Sequence, residues 1–222
     1  MLKRTKSLTE QAADEIRARI VRGDFPLGAP LSENALAGEM GVSKTPIREA
    51  LLQLKMEGLV SILPQRGSFV FDMTAQEIAA LCELRDTLER AALRLAAGRQ
   101  GPALVAALAA ICGEMELALA ADDLARYRAL DAAFHQSLFD HCGNSFFVSC
   151  YQSFAFRVQA LRVRLTDDPA FNARSIGEHR RMTELLAGGR VEEACALLAV
   201  HIDSTAVQYV GILQPPGDES VA

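Results

Sequence analysis

Tryptophan is absent from this 222-residue chain, and aromatic residues make up only 6% of it. A core built with so few rings must be filled by aliphatic side chains, and the abundance of alanine and leucine leans towards helix. Long apolar runs are missing as well. No stretch approaches the ~18–20 apolar residues of a membrane span. The opening MLKRTKSLTEQAADEI turns polar too soon to hold the apolar region of a signal peptide. Cysteine is sparse and unpatterned: Cys82, Cys112, Cys142, Cys150 and Cys195 are odd in number, widely spaced and form no CxxC. That excludes a disulfide framework and leaves reduced, mostly buried thiols, as expected of a cytoplasmic chain with no membrane partner. HExxH and nucleophile-elbow motifs are also lacking.

What is present divides unevenly. Residues 1–71 carry ten Lys/Arg against eight Asp/Glu, a balance of +2, and include all four lysines, Lys3, Lys6, Lys44 and Lys55. Residues 72–222 carry thirteen against twenty, a balance of −7. A mildly basic first part joined to an acidic second part suggests two domains with different partners.

Periodicity agrees. Ser7-Leu-Thr-Glu10 reads as a capping box, followed at helical spacing by Leu8, Ala12, Ile16 and Ile20, with Gly23 as the stop. After the loop DFPLGAP, Ser32 caps a short helix, ENALAGEM, that ends at Gly41; Ser43 opens another that runs to Gly58. LVSIL and SFVF are β-rich runs separated by Pro64-Gln65-Arg66-Gly67, a hairpin signal. Thr74-Ala-Gln-Glu77 is a second capping box. It begins a long amphipathic helix with Leu81, Leu84, Leu88 and Leu95 on one face. Further helices are expected near 103–121, 123–141, 145–165, 174–187 and 190–212, broken at Gly101-Pro102, Asp122, Gly143-Asn144, TDDP and Gly188-Gly189. The expected fold is therefore mainly α: a winged helix-turn-helix over 1–71, a linker at 72–74, an all-α six-helix bundle over 75–213 and a disordered tail at 214–222.

Helices at 33–40 and 44–57 joined by a Gly-Val turn make a helix-turn-helix. Ala37 lets the helices approach, and Leu36, Met40, Val42, Ile47, Leu51 and Leu54 supply the apolar contacts. Pro46 lies in the first turn of the second helix, where amides lack internal acceptors, so it sets that turn without breaking it. In such motifs this turn enters the major groove. Ser43, Lys44 and Thr45 would face bases and phosphates, and Arg48 suits a bidentate guanine contact. Gln65, Arg66 and Gly67 form the tip of a wing. A helix-helix-hairpin also serves in protein-interaction modules, so the alternative is an ordinary capped surface.

The run LSENALAGEMGVSKTPIREALLQLKMEGLV, followed by a hairpin with a glycine tip, resembles the winged-helix domain of the GntR family of bacterial transcription regulators. That resemblance implies binding to double-stranded DNA and adds Asn34 to the contact set. Members often carry arginine where this chain has Asn34 and Lys44, and lysine is a point charge where arginine is a planar fork.

Four histidines occur, three of them on helices of the second part. Asp131 and His135 share a helical face at i,i+4, while His179 and His201 lie on the last two helices. Three imidazoles and a carboxylate converging inside a bundle would hold a divalent ion of the Zn, Ni or Mn type with open positions for water. The alternatives are a surface Asp/His pair and hydrogen-bonded core histidines. His141, at a helix end, reads as a C-cap group.

Taken together, ELRDTLE, DAAFHQSLF, CGNSFF, GEHRRM and AVH resemble the FCD ligand-binding domain of the FadR subfamily, in its VanR-like six-helix form. The resemblance implies that Asp131, His135, His179 and His201 bind the metal, zinc foremost, and it argues against an acyl-CoA effector. It also places Arg85 near metal and effector, where a guanidinium beside a cation would grip a small organic acid; a surface ion pair with Glu89 is the alternative. Asn144 and Arg157 are further effector-pocket candidates. The expected function is a metabolite-responsive regulator, a repressor in the commoner family pattern, binding a palindromic operator as a homodimer. The competing readings are a metal-dependent hydrolase and a DNA-binding regulator with a purely structural metal.

Overall fold

The computed structural model describes residues 6–164 and 169–213. The chain divides into two compact units: Met1–Asp72 with Ser153–Arg164, and Met73–Gln152 with Leu165–Ala222. The expected disordered tail and most of the TDDP break lie outside the described residues.

In the first unit α1 spans Leu8–Arg22, α2 Glu33–Met40 and α3 Lys44–Met56. The capping box at the start of α1 is formed: the Glu10 amide donates to the Ser7 hydroxyl and the Ser7 amide to the Glu10 carboxylate. Gly23 and Gly41 close α1 and α2 in the left-handed conformation, with φ of 85° and 65°. Ala12, Ile16 and Ile20 are buried, whereas Leu8 is exposed. Leu36, Ile47, Leu51 and Leu54 form the apolar contact around the turn, and Met40 and Val42 sit half-buried at its rim. α3 ends at Met56, two residues before Gly58.

The hairpin is β2, Val60–Leu63, paired antiparallel with β3, Gly67–Val70. A third strand, β1 at Pro30–Leu31, lines the other side of β3. In the sequence Pro30 ends the expected loop DFPLGAP, and no strand is expected there. Two residues carry no readable alternation, and Pro30 can lie only where no ladder amide is needed, here at a sheet edge.

In the second unit α4 spans Ala75–Ala120, α5 Leu124–Asp140, α7 Pro169–Ala187 and α8 Val191–Leu213. The Thr74–Glu77 capping box opens α4. At Gln100 the backbone leaves helical geometry (φ −138°, ψ 32°), so α4 is two helices joined at a kink. Pro102, which lacks the amide a continuous helix would use and crowds the preceding turn, accounts for it. α6, Ser145–Val163, spans the two units. Within the first unit its last turns hold to α1 and the loop after it: Arg164 donates to the carbonyls of Ile20 at 3.3 Å and Phe25 at 2.5 Å.

One window of 18 residues within α4 reaches a mean hydropathy of 1.9, enough by length and composition to cross a membrane, although the sequence showed no continuous apolar run. Leu104, Leu108, Cys112, Met115 and Ala118 are buried at intervals of three and four, the pattern of a helix packed on one side.

Candidate functional site

Two constellations stand out, one in each unit. In the first, the expected contact residues Asn34, Ser43, Lys44, Thr45, Arg48, Gln65, Arg66 and Gly67 are all exposed. Ser43 is the N-cap of α3, but its hydroxyl makes no capping bond, so it is available to a ligand. Pro46 is the third residue of that helix, as its sequence position requires. The amides of the first turn point out of the helix end unpaired and carry the positive end of its dipole. Arg48 donates through Nε to Glu33 Oε2 on α2 at 2.6 Å. Gln65 at the hairpin tip has a φ of 60°.

In the second unit, α5 contributes Asp131 and His135, α7 contributes His179 and α8 contributes His201. One ligand atom from each lies within 4.8 Å of every other, and all four residues are buried. The i,i+4 spacing stacks the two α5 side chains on one face, which puts both on the same side of the cluster. The ring centroids of His179 and His201 are 4.6 Å apart, and each lies 5.3 Å from His135. Phe134 stacks on His179 with centroids 4.1 Å apart and closes that side with an apolar wall. Three borderline nitrogens and one hard oxygen converging in a buried space fit a divalent transition ion.

Around these four lies a second set of charges, parts of which the sequence reading did not single out. Arg85 is fully buried, and so is Glu89, one turn further along α4. Arg85 Nε donates to Glu89 Oε1 at 2.5 Å, and its Nη2 lies 2.9 Å from His135 Nε2. Glu89 Oε2 is 2.6 Å from His135 Nδ1. Glu178 Oε2 meets His201 Nδ1 at 2.7 Å. Carboxylates on Nδ1 set the tautomer and leave Nε2 as the ligand atom. Burial opposes the charge on Arg85. Glu89, with Tyr209 and Tyr151 adding to it, outweighs that cost, so the guanidinium holds its proton more firmly than in water. Its Nη1 is buried and has no hydrogen-bond partner among the described residues.

The face of α4 that looks inward differs from the one the leucines marked. Leu81 is buried, but Leu84 is 43% exposed and Leu88 and Leu95 are half-buried. Before the kink the buried set is Ile78, Leu81, Cys82, Arg85, Glu89, Ala92, Leu93 and Ala96. Glu89 was read only as the surface partner of Arg85, because nothing local marks a glutamate for burial; its second partner, His135, is 46 residues away.

Asn144 and Arg157 have other tasks in the structure. Asn144 Oδ1 accepts from the amides of Phe146 and Phe147 and so caps the start of α6. Arg157 lies in the first unit against Gly58, whose φ is 71°; a Cβ there would sit 2.9 Å from the Arg157 guanidinium carbon. His141 ends α5 and donates from Nδ1 to the Ser137 carbonyl at 2.8 Å. Cys150 is exposed and the other four cysteines are buried; none of the five forms a disulfide.

Comparison with known proteins finds a family match for each unit. Residues 8–70 match the family of bacterial regulatory proteins named gntR, and residues 80–204 match the FCD domain. An HTH-type transcriptional regulator from an unstable DNA locus of Streptomyces ambofaciens is 31% identical over 85% of this chain and 79% of its own. The Nta operon transcriptional regulator of Aminobacter aminovorans is 29% identical over 86% of this chain and 89% of its own. The gluconate operon transcriptional repressor of Bacillus subtilis is 29% identical over 71% and 66%. Among solved structures, a transcriptional regulator, GntR, from Rhodococcus sp. RHA1 superposes with a TM-score of 0.81 at 25% identity, over 93% of this chain and 99% of that one.

Proposed function

The chain belongs to the GntR family of bacterial regulatory proteins and carries an FCD domain, and from that premise we propose that it is a metal-dependent sensor of a small carboxylate that represses transcription. It is a DNA-binding transcription regulator, not an enzyme, as its relatives are. In the proposed reading it acts in the cytoplasm as a homodimer on a palindromic operator, each α3 entering the major groove of one half-site. Val200 and Val207, seven residues apart on α8 and both exposed, offer an apolar stripe for a second copy.

The observation that carries the sensor reading is the unpartnered Nη1 of a fully buried arginine beside the Asp/His cluster. A buried donor left without an acceptor costs about 1–3 kcal/mol. An incoming carboxylate removes that cost and adds a charge-assisted bond. Asp131, His135, His179 and His201 would hold the divalent ion, zinc foremost with nickel and manganese as the other candidates. When bound it supplies a Lewis-acidic positive charge for the same anion. Arg85 orients the anion, Glu89 and Glu178 hold His135 and His201 in their ligating tautomer, and Phe134 keeps water from one side. Anion binding shifts the DNA-competent population only as far as its affinity differs between the two states.

Calorimetric titration of metal-loaded protein with short-chain carboxylates tests this. Binding heat that disappears in Arg85→Ala is the expected result. If no acid binds at all, the ion is purely structural. On the DNA side, Lys44→Ala should weaken binding to every sequence and reduce the slope of log affinity against log salt by about one. Anisotropy titrations across a salt series check this, and an unchanged slope would show that Lys44 stays off the backbone.

A further inference from the structure

We propose that Arg85 stands in for the metal: in the metal-free site its guanidinium is the cation of the cluster, and ion and guanidinium compete beside His135 until an anion draws the guanidinium off. This rests on the metal reading above and adds a coupling to it. His135 Nδ1 lies 2.6 Å from Glu89 Oε2, so Nδ1 carries the proton and donates, and Nε2 keeps the lone pair. Nε2 is therefore the atom a metal would take, and it is also the ring nitrogen nearest Arg85 Nη2, at 2.9 Å.

The same Nη2 is 3.2 Å from Nδ1, so the guanidinium leans across the ring and does not meet the lone pair end-on. What it shares with an incoming ion is chiefly charge. Zinc sits about 2.0–2.1 Å from an imidazole nitrogen, and Arg85 and His135 are both fully buried, with little solvent to screen two cations on one ring. Glu89 serves as the pivot. It holds the planar guanidinium at Nε through Oε1, so the two terminal nitrogens shift only with the whole fork.

An anion that takes Nη1 and Nη2 neutralises the guanidinium and turns it from the ring. Metal and anion then favour one another, and by linkage the effect is reciprocal. A built-in competitor of this kind makes the site hold metal weakly when alone and tightly when the acid is present.

The test uses the full-length metal-free protein and zinc, titrated against a competing chelator. In Arg85→Gln the amide can still donate to Glu89, so the charge goes without stranding the carboxylate. Zinc should bind this variant about tenfold more tightly than wild type in chloride buffer. Replacing chloride by acetate at equal ionic strength should tighten zinc binding to wild type about fivefold or more and leave Arg85→Gln unchanged. The unchanged variant separates this effect from direct coordination of acetate. Equal zinc affinity in variant and wild type overturns the competition. If thermal melts show that Arg85→Gln does not fold, the acetate arm on wild type decides, and no tightening overturns it. Folded wild type that binds no zinc removes the metal reading itself, and this coupling with it.

Discussion

Replacing His179 with alanine is expected to lower zinc affinity by about a hundredfold or more. Four ligands of a tight zinc site share about 10–16 kcal/mol, which is roughly 3 kcal/mol each. His179 is fully buried and lies centrally: its ring is near those of both other histidines, and its Nε2 is 3.7 Å from Asp131 Oδ1. The readout is the zinc-induced change in melting temperature. An ion present at about a thousand times its dissociation constant stabilises the fold by about 4 kcal/mol, which for a chain of this size is a shift of about ten degrees. A hundredfold weaker site at the same zinc concentration keeps about 1.4 kcal/mol of it, so the variant should show about a third of the shift or less. Its absolute melting temperature is the wrong measure, because losing the ring stacked on Phe134 destabilises the core regardless of metal. A full zinc shift in the variant would place the ion elsewhere.

The second large effect lies on α3. Arg48→Ala should cost about 1–3 kcal/mol of operator affinity and relax preference at one base position, the signature of a lost bidentate guanine contact. The structure adds a reason for this choice. Arg48 is tied to Glu33 through Nε, and among the described residues its terminal nitrogens, the ones that read guanine N7 and O6, make no hydrogen bond. Glu33→Gln, which weakens that tie but leaves the fork, should cost less than Arg48→Ala. Binding measured on single-base variants of a footprinted operator checks both. An equal loss on every sequence would mean that Arg48 touches only phosphate.

How far each site was readable depends on the range of the forces that build it. The helix starts were legible because their determinants are neighbours in the chain. Ser7 with Glu10 and Thr74 with Glu77 satisfy each other's amides within one turn, and Pro46 is harmless three residues into a helix for a local reason. Asp131 and His135 could be paired from their spacing alone. The union of that pair with His179 and His201 was implied by resemblance, and the structure then brings the four together.

Other features had no local signal. β1 exists only because β3 presents an edge to Pro30 and Leu31. The leucines of α4 marked a face that the structure turns partly outward, and Arg85 and Glu89, which would ordinarily be read as a solvent-exposed ion pair, lie at the centre of the unit. Burial of a charged pair is decided by what meets it, here an imidazole from α5, and those partners lie dozens of residues away. Capping boxes, turn chemistry and the order of the helices follow from interactions within about four residues, and the sequence alone determined them. Which charges enter the core, and therefore which groups surround the ion, depended on the packing of α4 against α5, α7 and α8, because a buried charge persists only where distant residues satisfy it.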